Sequence, residues 1–302
     1  MRIGLNAGSR SPGASDRHEP GQLLWQNCIC RGSKMIAENQ RQREYWNQRL
    51  CRNWGPEGAG SVVYGRQFNL WRYRVRAKVF RRLVRLMGLQ PDRLSVLDVG
   101  CGTGFYLGQW QALEVKHLAG LDISDWAVSQ LAHVYPDIAL YRTDISAEDS
   151  ILQEGAFDVV SAMDVLIHIV DDAAYLNALK NIHHALKAGG YLICSDSFFH
   201  GNSKQFEDYW RGRSLSFVTS AMHNSGFEVV SRMPMSVLMA APTDTRRREL
   251  NERVWEKMMT PVRHSEWVGF LAGMLIYPFE LLLVSILKES PAIEIMICRR
   301  QP

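Results

Sequence analysis

The sequence predicts an α/β fold, a parallel sheet with helices on both faces. Three observations predict it. From Leu94 onward, short apolar runs alternate with amphipathic helical stretches, the pattern of strand–helix–strand units. The first run, Leu94-Ser-Val-Leu-Asp-Val, ends in a glycine cluster that leads straight into a helix, 105–114. Two last runs, near 227–239 and 293–299, read as strands separated by about fifty helical residues. Between these lie strands at 117–122, 138–142, 157–162 and 191–195, with helices from Asp125 to about Val134 and near 172–186.

The chain has 302 residues, with 46% hydrophobic and 22% charged residues, which allows one or two packed domains and excludes wholesale disorder. A net charge of +4 is too small for a chain dominated by nucleic-acid binding. Six scattered cysteines (28, 30, 51, 101, 194, 298) make neither a disulfide framework nor a zinc site and fit a reducing cytoplasm. Residues 1–34 are polar and Gly/Ser-rich, lack the apolar stretch of a signal peptide, and are expected to be a disordered tail. An upstream initiation site with Met35 as the true start would read the same way.

Residues 35–93 form an N-terminal helical region. A helix over 36–52 carries Tyr45, Trp46 and Leu50 at helical spacing, and Trp54 to Gly65 is a glycine-rich connection. Residues 66–88 form an amphipathic helix with Phe68, Trp71, Val75, Val79 and Leu83 on its apolar stripe. Its other residues include Arg66, Arg72, Arg74, Arg76, Lys78, Arg81, Arg82 and Arg85, with no acid among them. These are expected on a solvated face; contact with phosphate or anionic lipid is the alternative.

The turn Val96-Leu-Asp-Val-Gly-Cys-Gly-Thr-Gly-Phe carries the chemistry. Glycines there let backbone take positive φ and approach a ligand closely. A dinucleotide fingerprint needs GxGxxG, but its third glycine position is Phe105 here. Asp98, two residues before the first glycine, repels a pyrophosphate and suits a cation.

Asp98-Val-Gly-Cys-Gly-Thr-Gly resembles motif I of the class I S-adenosylmethionine (SAM)-dependent methyltransferases. The resemblance covers about 90–240 and resumes at 293–299. It implies a Rossmann-like, seven-stranded, mostly parallel sheet in the order 3-2-1-4-5-7-6, within a SAM-binding domain over 94–302. It implies that Gly100, Cys101, Gly102 and Gly104 line the methionine and ribose part of SAM, and that Asp98 holds the ammonium, directly or through water. Asp122, ending the second strand, would accept the ribose hydroxyls, and Ile123 would pack on adenine. Asp144, in Thr143-Asp144-Ile145, would accept from the adenine amino group, with a cap or turn role as the alternative. Met163 and Asp164 would face the methyl-transfer point. Gly189 and Gly190 would close a helix and start the fifth strand.

Methyl transfer needs alignment and exclusion of water, and a hydroxyl acceptor also gains from a general base. The groups near the strand ends that could act are Asp164, His168, Asp196 and His200, with Asp196 alternatively bonding backbone. His168 could equally be a packed histidine beside SAM, and His200 an exposed loop residue. The pair His183-His184 sits mid-helix and is expected at the surface. No metal cluster is evident, so a metal-free reaction is expected. The amino-methylating Asn/Asp-Pro-Pro-aromatic loop, a Pro-Cys nucleophile and a paired-glutamate loop are all lacking. This leaves a small-molecule, sugar- or lipid-linked acceptor, methylated at oxygen. An RNA methyltransferase, a non-catalytic SAM-fold binding protein and an NAD(P)-dependent oxidoreductase are the rival readings.

The insertion 241–290 is expected to form a helical lid. Thr245-Arg-Arg-Arg-Glu-Leu opens a helix, and Trp267 to Leu287 is almost wholly apolar, broken by Pro278 and Glu280. A membrane span is disfavoured because strand 293–299 must return to the sheet a few residues later. A buried or capping helical hairpin is expected. A hairpin lying at a membrane interface, giving a cytoplasmic protein peripheral to the membrane, is the alternative.

Overall fold

The computed structural model describes residues 40–302 apart from Ser150. The expected tail, 1–34, lies outside them. A helix α1 covers 40–52, followed by α2 (Pro56–Ala59) and the long α3 (Gly65–Leu86). Strand and helix then alternate: β1 (Ser95–Val99), α4 (Phe105–Gln111), β2 (His117–Asp122), α5 (Asp125–Val134), β3 (Ala139–Arg142), β4 (Phe157–Met163), α6 (Asp172–Ala185) and β5 (Leu186–Asp196). A hairpin β6 (Lys204–Glu207) and β7 (Trp210–Gly212), α7 (Leu215–Asn224), β8 (Phe227–Ser236), α8 (Arg248–His264), α9 (Glu266–Ile286) and β9 (Ile293–Arg300) complete the chain.

The sheet runs β3-β2-β1-β4-β5-β9-β8. The first five strands are parallel, and β9 is antiparallel to both of its neighbours. Setting aside the separate β6–β7 hairpin, this is the expected order. Both faces of the central strands are buried, and alternation sorts the side chains between them. Val96, Val159, Ile193, Ile295 and Ile297 pack towards α3, α4 and the α8–α9 pair. Leu97, Val160, Leu192, Cys194, Met296 and Cys298 pack towards α6 and α7.

Several boundaries differ from expectation. β5 begins at Leu186, because Phe157 pairs with Leu186 and Val159 with Tyr191, so residues 187–190 bulge out of the ladder. Gly189 sits in that bulge with φ 76°, so the two glycines shape the strand's start rather than a separate turn. α4 stops at Gln111. The β6–β7 hairpin and α7 were not expected at all. α7 is capped by the Ser214 hydroxyl, which accepts from the Phe217 N–H, and it buries Val218, Ala221 and Met222 at helical spacing. His184 is exposed as expected, whereas His183 is half-buried edge-on against Phe227.

The α3 stripe is as expected, but its arginines do not all face water. Arg76 is 5% exposed and Asn69 fully buried. They stand one heptad apart on the inner side, beside Phe80 and Leu83. Arg72 is half-buried and donates to Asn69 Oδ1 at 2.9 Å.

The insertion is a helical hairpin, and only one face of α9 is buried. Its contacts advance in step with α3. Glu266 accepts from the N–H groups of Arg66 (2.9 Å) and Gln67 (2.7 Å), capping the start of α3. A Cβ on Gly273 would lie 2.3 Å from the Trp71 ring, so glycine permits that close approach. Further along, Glu280 is fully buried. Its carboxylate accepts from Ser236 Oγ (2.7 Å) and the N–H groups of Val237 (2.8 Å) and Leu238 (2.6 Å) just past β8. Of the expected buried or capping hairpin, the inner face is buried, whereas the outer face is open, with Trp267 78% exposed.

Candidate active site

The carboxyl ends of β1, β2, β4 and β5 converge on the glycine turn. Gly100, Gly102 and Gly104 all have positive φ (65°, 52° and 81°). Their surroundings differ. A Cβ on Gly100 would meet Val165 at 2.4 Å, and one on Gly104 would meet Leu131 at 2.7 Å and Tyr135 at 2.9 Å. These two glycines are required by packing. A Cβ on Gly102 would have nothing nearer than 3.8 Å, in the gap between the turn and Ala59 of α2. Cys101 turns inward instead, buried with Leu107 and Leu131.

Asp98 lies behind the turn, 2% exposed. Its Oδ1 accepts from Ser161 Oγ at 2.7 Å, and Ser161 in turn accepts from the Trp110 indole N–H at 3.0 Å. Among the described residues no cation pairs with it. Burial pushes its pKa up to about 7, with the hydroxyl bond only partly opposing the shift. Asp122 is also buried, and desolvation raises its pKa. Its Oδ2 accepts from the Gly102 N–H and its Oδ1 from the Ser124 N–H, each at 2.8 Å. It thereby ties the glycine turn to the end of β2, and each oxygen keeps a further lone pair for a hydroxyl. Ile123, beside it, is half-buried. Asp144 bonds the Ser146 N–H (2.8 Å) and Oγ (2.7 Å) through Oδ1, a turn-capping role. Ile145 is buried in the core beneath α6.

Sequence reasoning missed the roof. Asn47 of α1 accepts from Ser124 Oγ (2.7 Å) and the Trp126 N–H (3.1 Å) at the end of β2. One residue earlier, Trp46 meets the His168 ring edge-on at 4.8 Å after β4, and Tyr45 stacks on Tyr209 of the β6–β7 turn at 4.3 Å. Arg49 holds the carbonyls of Gly58 (2.8 Å) and Gly60 (2.7 Å) in the glycine-rich connection. α1 thus bridges the ends of β2 and β4. A polar residue on one helix face gave no signal of this, because its partners come from elements some eighty residues away.

At the end of β4, Asp164 has φ 58°, uncommon for a non-glycine residue and a mark of local strain. Its Oδ1 accepts from Ser195 Oγ (2.7 Å) and its Oδ2 pairs with the buried Arg76 guanidinium (2.5 Å). Arg76 also donates to Tyr106 Oη at 3.3 Å. Burial opposes its charge, yet the Asp164 carboxylate leaves its pKa raised. This pair fastens α3 to the sheet end. Met163 beside it is buried in the apolar cluster under α3. His168 lies on the 3-10 turn Leu166–His168, with Nδ1 2.7 Å from the Tyr209 carbonyl. Desolvation, aided by the Arg49 charge, lowers its pKa to about 4. The hairpin is itself anchored by Arg213, 1% exposed, which bonds Asp172 and the Ile169 carbonyl and lies over the Tyr175 ring at 4.0 Å.

Asp196 is buried, bonds the Ser197 N–H at 2.6 Å, and has its pKa raised well above the ordinary range by burial. His200 is not brought to this group. Its Nδ1 faces Asp244 Oδ2 at 2.6 Å and its Nε2 faces Glu289 at 3.5 Å, on an exposed network with Arg232. The Asp244 hydrogen bond raises its pKa. No metal-binding cluster of three or more ligands occurs among the described residues.

Residues 70–232 match the family described as "Methyltransferase domain". The chain belongs to this family. Among relatives of the chain, a dTDP-4-amino-2,3,4,6-tetradeoxy-D-glucose N,N-dimethyltransferase of Saccharopolyspora spinosa is 30% identical over 156 residues, 49% of this chain and 54% of that protein. A ubiquinone biosynthesis O-methyltransferase of Ralstonia nicotianae is 33% identical over 114 residues, 37% of this chain and 45% of that one. The chain spans about half the length of these curated relatives. The N-methyltransferase NodS of Bradyrhizobium japonicum, solved with S-adenosyl-L-homocysteine, shares the fold at a TM-score of 0.51. It is 14% identical, covering 86% of this chain and 99% of that one.

The NodS structure holds S-adenosyl-L-homocysteine, and the residues present here fit SAM. A buried carboxylate without a counter-cation, Asp98, suits an ammonium, and the open side of Gly102 is a cradle that a Cβ would fill. Binding a cation beside Asp98 favours its ionised form. SAM affinity should therefore fall by up to about tenfold per pH unit below pH 7, and Asp98→Asn should bind weakly with a flat profile. Without ligand, a raised carboxylate pKa means that the folded state holds its proton more tightly than the unfolded state. Stability from this group is then lost as pH rises from about 4 to about 7, and the asparagine variant should lack that contribution. Calorimetric titration and thermal melts across this range check both. A pH-independent SAM affinity in the parent protein would sink the assignment.

Proposed function

We propose that the methyltransferase transfers the methyl group of SAM to a hydroxyl oxygen of a small-molecule, sugar- or lipid-linked acceptor. The observation that carries this reading is the state of His168. A carbonyl only accepts, so the 2.7 Å contact with the Tyr209 oxygen requires a proton on Nδ1. The lone pair then sits on Nε2, for which the described residues supply no partner, and a pKa of about 4 keeps the ring neutral at physiological pH. Asp164 is engaged by Arg76 and Ser195, which leaves His168 as the better base.

When bound, SAM would supply a methyl carbon on a sulfonium, the sulfur keeping the electron pair of the broken carbon–sulfur bond as the oxygen–carbon bond forms. His168 Nε2 takes the hydroxyl proton. Asp122 and Gly102 fix the cofactor end, and α1 excludes water from above. The names of two relatives support this reading, a dTDP-amino-sugar N,N-dimethyltransferase and a ubiquinone biosynthesis O-methyltransferase, whereas another relative is a tRNA U34 carboxymethyltransferase. The first of these acts at nitrogen, and an amine acceptor, carrying its own lone pair, would depend little on His168.

His168→Gln should lower kcat on hydroxyl acceptors by roughly 10²–10⁴-fold while leaving the SAM affinity unchanged. In the parent, kcat should fall with acid only as pH approaches about 4, where the imidazole protonates. Screening phenols, sugars and amines with radiolabelled SAM supplies the acceptor. Turnover confined to amines and indifferent to His168→Gln would replace this reading with N-methylation.

A further inference from the structure

Among the described residues, the outer face of α9 has no partner in the fold. The helix is 21 residues long, and its most apolar 18-residue window has a mean hydropathy of 1.9, yet only 22% of that window is buried. Leu275, Phe279, Leu282 and Ile286 are each 56–64% exposed, and Trp267, at its start, 78%. Such a continuous apolar strip on a soluble domain marks an interaction surface. We propose that this strip, with the cationic row of α3 beside it, docks onto the surface of an anionic lipid bilayer, with α9 lying in the interface plane.

Charge complementarity selects the lipid surface. Arg74, Lys78, Arg81 and Arg85 fall on one arc of α3 by helical spacing, and none has an ion-pair partner among the described residues. The arc adjoins α9 directly. The Arg74 guanidinium lies 4.2 Å over the Trp71 ring, Trp71 packs against Phe270 and Tyr277 of α9, and the Lys78 ammonium lies 5.3 Å over Tyr277. Both carboxylates of α9 are engaged: Glu266 caps α3 and Glu280 is buried against the end of β8. An apolar strip edged by cations with no opposing acid matches an interfacial helix on anionic headgroups. A second copy of the chain fits poorly, since a two-fold contact through this face would set the same cations near one another. A span is opposed by Glu280, whose release would orphan the N–H groups of Val237 and Leu238. Docking of this kind is independent of the acceptor proposed above.

Flotation of the full chain with vesicles tests it. The protein should float with phosphatidylcholine–phosphatidylglycerol vesicles, release with rising salt, and bind phosphatidylcholine vesicles far more weakly. Leu275→Ser with Phe279→Ser should weaken binding at least about tenfold, and Arg74→Glu with Lys78→Glu should abolish the preference for anionic lipid. Both pairs lie at exposed positions, and S-adenosylhomocysteine titration confirms that each variant keeps its fold. Absence of binding to anionic vesicles would overturn the proposal. So would salt-independent binding to both vesicle types, or a dimer in light scattering that Phe279→Ser dissociates.

Discussion

Gly102→Ala should cost SAM affinity at least about tenfold while changing stability by only about 1–2 kcal/mol. The stability cost comes from placing a Cβ at φ 52°, in the left-handed region. The affinity cost comes from where that Cβ points, into the gap between the glycine turn and Ala59 that no protein atom fills closely. Gly88 is a matched control. It has φ 65°, an added Cβ there would meet nothing within 4 Å, and it lies in the turn after α3. Gly88→Ala should lose similar stability and no affinity. Thermal melts paired with calorimetric titration separate the two effects. Equal SAM affinity in both variants would show that the cofactor does not approach the turn at Gly102. Gly104→Ala should instead destabilise without any ligand, because its Cβ would press on Leu131 and Tyr135.

Glu280→Leu should destabilise the fold by about 2–4 kcal/mol, despite making α9 more apolar. The carboxylate is the acceptor for Ser236 Oγ and three backbone N–H groups just past β8. Leucine leaves those donors buried and unpaired, and the gain from removing a desolvated carboxylate offsets only part of that. Glu280→Gln keeps one acceptor oxygen and should lose less. Urea denaturation gives the ranking, and amide exchange should quicken in α9 and after Ser236 in the leucine variant. A leucine variant as stable as the parent would mean that α9 is held by its packing on α3 and the Glu266 cap, without help from Glu280.

Motif I shows how far local pattern reaches. Strand, glycine turn and helix are consecutive in the chain, so the turn could be read from residue type and spacing, while the roles expected of Asp98, Gly102 and Asp122 rest on the family resemblance. The alternation from Leu94 likewise made the parallel sheet legible, since burial on both faces demands nearly continuous apolar runs. Other parts were opaque for a physical reason. The β6–β7 hairpin is short and polar, and its stability rests on Arg213 reaching Asp172 and the Ile169 carbonyl. Arg76 looked like one more surface arginine until Asp164 supplied a counter-charge across the domain. His200 looked equivalent to His168 by position after a strand, yet its neighbours Asp244 and Glu289 come from distant segments and hold it in a surface network.

By itself, then, the sequence determined the α/β class, the glycine turn and the family, because each depends on residues close together in the chain. Among the described residues, the tertiary structure alone decided which histidine is buried with its Nδ1 bonded, which arginine is buried, and which face of α9 stays bare. Each of those depends on desolvation and on partners that only folding brings within reach, and no periodicity along one segment encodes them.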